Sequence, residues 1–398
     1  MPGLAAGPLA GVRVVDLTRM LAGPFGTTIL GDLGADVVKV EPLRGDDTRS
    51  IAPYVNGQSH YHLSLNRNKR SIALDTRDER GQAVLERLVA GADILVENFR
   101  PGTLAAMGLE PQALLERYPR LVICSISGYG QEGPLRDKVS FDLVTQAMSG
   151  AMSVTGEPGG APARLGIPLG DLIGGFYGVI AVLAALRERD LTGKGRWIDF
   201  ALHDGMVALL GYMATRYWAT GESPGRVGSG HHSSVPYGAY EASDGWLVVA
   251  CMTDAFWPRL ARAIGRDDLA DDPRLASYDA RTAAREEIDA AVAAALRTGT
   301  VEHWCAAFEA ADVPHAPILD VAQVVAHPHV LARGMVVESE HPAYGAFTAL
   351  GSPLRMGDGA PAAPSPPPLL GEHTDEVLAE AGLAPEEIAA LRQEGVVA

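Results

Sequence analysis

Cysteine is scarce. The 398-residue chain carries three, Cys124, Cys251 and Cys305, far apart and odd in number. That spacing excludes a disulfide framework and a cysteine-based zinc site, and it fits a reducing, cytoplasmic compartment. Positive charge is short too, with 33 Lys+Arg against 49 Asp+Glu and a formal net charge of −16. An acidic surface repels phosphate backbones, so no nucleic-acid partner is expected. A small anionic ligand remains compatible, because a few basic residues can form a local pocket. The most apolar run, Leu172 to Leu186, is broken by glycines and a tyrosine and is short for a bilayer span; it reads as a buried helix, with no membrane expected. The opening MPGLAAGPLAGVRVVDL has no charged segment followed by a long apolar stretch, so no secretory leader is expected. There are no internal repeats.

What is present is an ordinary globular composition, 47% hydrophobic and 21% charged, over a length that suits two or three domains. Up to about residue 200, short β-branched runs alternate with helical stretches: VRVVD at Val12–Asp16, DVVKVE at Asp36–Glu41, SIALD at Ser71–Asp75, DILVE at Asp93–Glu97 and LVICS at Leu121–Ser125. Short apolar strands separated by helices predict a mostly parallel sheet covered on both faces. The fold class expected is α/β, a Rossmann-like parallel sheet in a large domain plus a smaller α+β domain. A long apolar helix is predicted from Asp171, and a second from Ala201 to about Thr220. The expected division is 1–200 for the large domain, 201–235 for a linker helix and loop, 236–330 for the small domain, and 331–398 for a return to the large one. The Pro/Ala-rich run ending at Leu370 reads as an extended strap.

Several segments carry chemistry. LGDLGADVVKVE at Leu30–Glu41 is not GxGxxG, so a standard dinucleotide fingerprint is absent. NRNKR at Asn66–Arg70, with Arg44, Arg49 and Arg77 nearby, suits a phosphate-bearing ligand or is a solvated loop. ENFRPG at Glu97–Gly102 ends a strand, where parallel sheets bind ligands. Asn98 there can hydrogen-bond a base or ribose and Phe99 can stack, or Asn98 simply caps a turn that Pro101 stops. Asp171 in GIPLGDLIGG is a lone carboxylate at a glycine-bounded helix start, an N-cap or a nucleophile held ionised by the dipole and backbone N–H groups, two readings that are compatible. His231 and His232 in GSGHHSS have no acidic or cysteine partner at ligand spacing, so no metal is expected; they contact substrate or belong to a polar loop. Tyr61 and Asp142 are ambiguous by residue type alone.

In their order along the chain, PLAGVRVVD, LAGPFGTTILGDLGADVVKVE, NRNKRSIALD, ADILVENFRPG, SISGYGQEGP, GIPLGDLIGG, GKGRWIDFAL and GEHTDEVLAEAGL resemble the family III CoA-transferases, the CaiB/BaiF family. The resemblance implies an enzyme that moves coenzyme A from an acyl-CoA to a carboxylic acid, with CoA as substrate and no permanently bound cofactor. It implies Asp171 as the catalytic aspartate. Leu74, Arg77, Asn98, Phe99 and Met107 fall at CoA-contacting positions, Met20 and Leu21 at the thioester end, and Tyr61 near the reacting atoms. Lys138 stands one step from a basic position of the family, which is Val139 here. The loop with Gly228, Gly230, His231 and His232 corresponds to an active-site loop, and its HxSxVPY pattern looks like the succinyl-CoA-dependent dicarboxylate branch. Arg19 and Arg49 fit that branch as partners of a second substrate carboxylate, or are plain surface residues. Family members form interlocked homodimers. Two rival readings stay open: an acyl-CoA racemase, which the family equips with a histidine where this chain has Phe141, a residue that cannot move a proton; and a non-catalytic CoA-binding protein, which would not need Asp171.

Overall fold

A computed structural model describes residues 7–356 and 364–398. The chain divides into two compact units, one running up to Ser149 and continuing through Gly166–Leu209 and Pro328–Ala398, the other comprising Gly150–Leu165 and Leu210–His327.

The first unit is built on six parallel strands: β1 (Arg13–Asp16), β2 (Asp36–Glu41), β3 (Lys69–Ala73), β4 (Ile94–Glu97), β5 (Val122–Ser127) and β6 (Trp197–Ala201). Their spatial order is β3-β2-β1-β4-β5-β6, in the doubly wound Rossmann arrangement. The strands read as continuous apolar runs because both faces are covered. Alternate residues nevertheless serve opposite layers. Val15, Val38 and Leu95 pack with Val84, Leu85 and Val89 of helix α2 (Glu79–Ala90) and with Val377, Leu378 and Ile388 from the C-terminal helices. Val14, Val37 and Ile94 pack on the other side with Leu30 of helix α1 (Ala22–Asp32) and with Val179, Val182 and Leu186 of the long helix. The chain end closes the first layer: Val397 bridges to Leu74, and the Ala398 N–H donates to the Ala73 carbonyl at 3.2 Å.

Helix α3 (Asp142–Met148) precedes the long helix, α4 (Leu169–Thr192). The sequence pattern predicts α4 as a buried helix, and one of its faces is buried while another is exposed. Ile173, Val179, Val182 and Leu186 are covered, whereas Phe176, Tyr177 and Ile180 are exposed. The apolar run is two-sided, so periodicity could not reveal which side meets the core. The helix predicted over Ala201–Thr220 is two, α5 (Leu202–Ala208) and α6 (Tyr212–Thr220). Gly211 separates them with φ of 48°, a left-handed conformation that glycine alone adopts without strain. The unit boundary falls there rather than at residue 200.

The second unit has a three-stranded antiparallel sheet, with β8 (Trp246–Ala250) between β7 (Tyr237–Glu241) and β9 (His315–Pro317), covered by helices that include Phe256–Ala263 and Arg285–Leu296. Back in the first unit, a hairpin of β10 (Val336–His341) and β11 (Gly345–Leu350) was not read from the sequence. The first residues of the Pro/Ala-rich run lie outside the described residues. Its described part, 364–370, is extended, and its carbonyls are captured by side chains: Tyr344 Oη donates to Pro367 O at 2.8 Å, and Arg49 donates to Pro368 O at 3.3 Å.

Helices α1 and α4 meet through glycine. A Cβ on Gly175 would stand 3.0 Å from both the Ala22 carbonyl oxygen and the Gly26 nitrogen. Backbone atoms cannot move aside as a flexible side chain can. Gly175→Val is therefore expected to destabilise the protein by about 1–3 kcal/mol, seen as a lower midpoint in denaturant. Gly225→Ala, where a Cβ meets nothing within 4 Å, is expected to leave it unchanged.

Candidate active site

In a doubly wound sheet, ligands bind beyond the carboxyl ends of the strands where the order reverses, here between β1 and β4. A cleft of about 520 Å³ lies there, lined by Leu17 and Arg19 after β1, Pro42 after β2, Thr76 and Arg77 after β3, and Phe99 and Met107 after β4. The Arg19 guanidinium sits 5.3 Å from the centre of the Phe99 ring and has no ion-pair partner among the described residues. Arg77 is 90% exposed and pairs with Asp75 at 3.1 Å.

Four of the predicted residues, Arg19, Arg77, Phe99 and Met107, thus share one cleft. Asn98 does not face it as a free amide. Its Oδ1 accepts the Arg19 N–H and its Nδ2 donates to the Arg19 carbonyl, both at 2.8 Å, so it staples two loops together. The Leu74 side chain is fully buried in the core below. Lys138 is exposed on the loop after β5 and does not line the cleft. Leu17 and Thr76 were missed, although each closely follows a strand and could have been found from the strand-end rule alone. Glu97 was also missed; it is buried, accepts the Phe99 N–H at 2.7 Å, and burial pushes its carboxyl up to about 7.

Of the two readings of NRNKR, a phosphate site or a solvated loop, the structure favours neither, because its charges are spent on internal partners. Arg67 pairs with Asp32 at 2.5 Å, Arg70 with Asp36 at 2.7 Å, and buried Lys69 with Asp16 at 3.2 Å. Arg49 is likewise committed. Its Nε and Nη2 each contact Glu41 at 2.7 Å, which leaves no fork for a substrate carboxylate.

Asp171 stands in the first turn of α4, whose N-cap position is Pro168 with no side-chain cap. The N-cap reading of Asp171 is therefore wrong, and so is the expectation that backbone N–H groups hold its carboxylate. Its side chain accepts no hydrogen bond from the described residues. The helix N-terminus favours negative charge, but burial, followed by the like charge of Asp142, pushes the Asp171 carboxyl up to about 7. Asp142 itself is well held: it accepts the Gly170 N–H at 2.8 Å and Gln146 Nε2 at 2.9–3.0 Å. Gly170 must be glycine for this approach, because a Cβ would meet the Asp142 carbonyl at 2.9 Å. Tyr61 belongs to the same cluster. Burial raises its phenol, and the charges of Asp171, Asp142 and Asp46 raise it further, so it stays protonated. Met20 and Leu21 lead into α1, whose Ala22 abuts Gly175, about one helical turn along α4 from Asp171.

In the second unit, the loop 228–234 is folded on its own unit. Gly228 has φ of 61° and donates its N–H to Gly156 O at 2.9 Å. The His231 ring lies 5.8 Å from Tyr212 and 5.5 Å from Tyr237. Its Nδ1 accepts the Ser233 N–H at 3.1 Å, which puts the proton of the neutral ring on Nε2. His232 Nε2 contacts Gly225 O at 2.9 Å. Gly230 N–H donates to Val227 O at 2.9 Å.

The family model for CoA-transferase family III matches residues 9–374. Human succinyl-CoA:glutarate CoA-transferase (Homo sapiens) is 40% identical over 375 residues, 94% of this chain and 86% of the relative. Acetyl-CoA:oxalate CoA-transferase of Acetobacter aceti is 42% identical over 340 residues, 85% of this chain and 87% of the relative. The crystal structure of a CAIB/BAIF family protein from Brucella suis superposes with a TM-score of 0.85 at 39% identity, covering 94% of this chain and 99% of that one.

A half-buried carboxylate with a raised pKa weakens the fold once ionised. Between the ordinary carboxylate value and about 7, the folded chain holds a proton on Asp171 that the unfolded chain has released, so stability falls as pH rises through that window. Asp171→Asn is expected to melt higher than the parent at about pH 8, with the difference vanishing towards about pH 4. Calorimetric melts across that range check it; an Asn variant that is less stable at the alkaline end would contradict the burial argument.

Proposed function

The chain belongs to CoA-transferase family III and is a CoA-transferase; from that premise we propose that it passes coenzyme A from succinyl-CoA or a similar acyl-CoA to a small dicarboxylic acid through covalent adducts on Asp171. The observation that carries the reading is the state of that carboxylate. It is poorly solvated, has no hydrogen-bond or ion-pair partner among the described residues, stands near a like charge, and so is more basic than an ordinary aspartate. A basic, desolvated oxygen is a better nucleophile.

The steps balance without an external energy source. Asp171 Oδ attacks the thioester carbonyl, the C–S bond breaks, and an aspartyl–acyl anhydride forms as CoA thiolate leaves. The thiolate attacks the aspartyl carbonyl of the anhydride, giving an aspartyl-CoA thioester and the free donor acid. The acceptor carboxylate attacks that thioester to form a second anhydride, and CoA thiolate then attacks its acceptor carbonyl. Asp171 is regenerated. Each bond broken is replaced by one of similar energy. Tyr61, kept protonated beside Asp171, supplies a hydrogen-bond donor where oxyanions develop.

The cleft suits the donor. Phe99 offers a stacking face, and Arg19 and Arg77 offer positive charge in an otherwise acidic chain. Relatives named for glutarate and oxalate support a dicarboxylate acceptor, whose second carboxylate the committed Arg49 is not free to meet. A homodimer is also part of this reading. The mutually packed helices α3, α4 and α5 expose Leu143, Met148, Phe176, Ile180 and Val207, apolar groups that a second copy would cover.

Incubation with acyl-CoA followed by hydroxylamine is expected to label Asp171, and Asp171→Ala to lose roughly a thousandfold or more in rate; a label on another residue, or full activity in the variant, defeats the mechanism. The nucleophile must be ionised, so the single-turnover rate of CoA release is expected to fall as pH drops through about 7. Asp142→Asn removes the like charge and should move that limb to lower pH. Light scattering should give twice the 41.9 kDa chain mass, shifting towards the monomer in Met148→Asp/Ile180→Asp.

A further inference from the structure

The turn between β1 and α1 is held by more than its own backbone. The Thr18 N–H donates to Asp16 Oδ1 at 2.9 Å, and the Thr18 carbonyl accepts from Lys39 Nζ at 2.8 Å. Both the N–H and the carbonyl of Arg19 are taken by Asn98 at 2.8 Å. The Met20 N–H reaches Asp46 Oδ1 at 3.4 Å. Side chains from β1, β2, the loop after β2 and the loop after β4 thus fix consecutive peptide groups. Met20 itself has φ of 64°, a left-handed conformation that is costly for a residue with a side chain. Such strain persists only where the surroundings over-determine it.

Two clamps with different outputs make up this arrangement. Asn98 holds Arg19, whose guanidinium lies over Phe99 in the cleft. Lys39 and Asp46 form a fully buried ion pair at 3.0 Å and grip the peptides on either side, Thr18 and Met20. Asp46 has further duties: it accepts from Thr48 N–H at 2.9 Å, and its own N–H donates to Glu41 at 3.0 Å. Met20 runs on through Leu21 to Ala22, the residue against Gly175 on the Asp171 helix.

We propose that the Lys39–Asp46 pair is a positioning device for the transfer reaction, fixing the Met20 turn so that the start of α1 stands in register with the Asp171 end of α4. The proposal rests on the reading that Asp171 is the acylated residue. Neither Lys39 nor Asp46 is a catalytic residue; both act through the turn. The Asn98 clamp governs how the donor is held, and the Lys39–Asp46 clamp governs how its reacting end is presented.

Lys39→Met alone would strand buried Asp46 and can fail to fold for that reason. Lys39→Met/Asp46→Asn removes both charges and leaves an amide oxygen for Met20 and Thr48. This double variant is expected to lose roughly 10- to 100-fold in kcat, with KM for the acyl-CoA donor within about threefold of the parent. Asn98→Ala is expected to do the reverse, raising that KM with a smaller change in kcat. Val84→Ala, a core change away from the turn, reports what general destabilisation does and should leave both constants near the parent's. Unchanged kcat in the double variant, or parallel losses in kcat and KM for both clamp variants, overturns the proposal. Hydroxylamine trapping on the parent is the separate arm. If Asp171 takes no label there, the underlying reading fails, whatever the variants do.

Discussion

Five buried charged side chains at β1, β2, β3 and the loop after β2, Asp16, Lys39, Glu41, Asp46 and Lys69, together with half-buried Arg49, set the rest of this unit's architecture. Signs balance within the set, three against three, which is what makes their burial tolerable. Burial alone would push the Asp16 carboxyl up, but Lys69 and Lys39 hold it below the usual carboxylate range. Glu41 is held below it in the same way, against burial, by Arg49 and Lys39. Lys69 yields instead, drawn down to about 8 chiefly by burial. The loops after β1 and β2 and the proline-rich strap hang from these groups. His62 completes the arrangement in its neutral form, pushed down to about 3 by burial and then by Arg49, with Nε2 3.4 Å from the Pro368 carbonyl. A structural network of this kind explains why the basic residues around NRNKR are not available to a ligand.

Against that background Asp171 is the exception. Asp16, Glu41 and Asp46 all have a cation within hydrogen-bond reach, and all lie below their ordinary values. Asp171 has none among the described residues, feels the like charge of Asp142, and is raised to about 7. Keeping a carboxylate ionised in such surroundings costs on the order of 4 kcal/mol. Its basicity comes first from burial and then from the like charge of Asp142, with no cation to offset them as one does for Asp16, Glu41 and Asp46. Glycines on both sides allow this. Gly170 lets the Asp142 backbone and carboxylate come close, and Gly174 and Gly175 let α4 pack tightly on α5 and α1.

The parallel sheet and its covering helices were legible because strand and helix periods are carried locally, and DVVKVE or DILVE has little else to become. Positions at strand ends were partly legible for the same reason, which is how ENFRPG, with Phe99, pointed to the cleft; Arg77 was singled out by the basic cluster and the family resemblance instead. Partner choice was not legible. Nothing in NRNKR says that Lys69 meets Asp16, 53 residues away, or that Arg70 meets Glu380, 310 residues away. Asn98 reads as a ligand contact until Arg19, 79 residues distant, is seen to occupy its amide. The exposed side of α4 was hidden too, since a helix apolar all round gives no clue to which face remains open.

Reading the basic residues by subtraction locates the anion site better than counting them does. With 33 Lys+Arg against 49 Asp+Glu, most cations in such a chain will find an internal acid. Arg13, Lys39, Arg49, Arg67, Lys69 and Arg70 have done so, several of them buried or forked on carboxylates. Those left over carry the information. Arg19 lines the cleft without an acidic partner among the described residues, and Arg77 lines it fully exposed, paired only with Asp75, a solvent-screened contact that a phosphate or carboxylate can displace. A cation that an acidic protein leaves unpaired beside an aromatic ring is a charge suited to an anionic ligand. Its backbone is stapled by Asn98, so part of the ordering that binding would demand is already built into the fold.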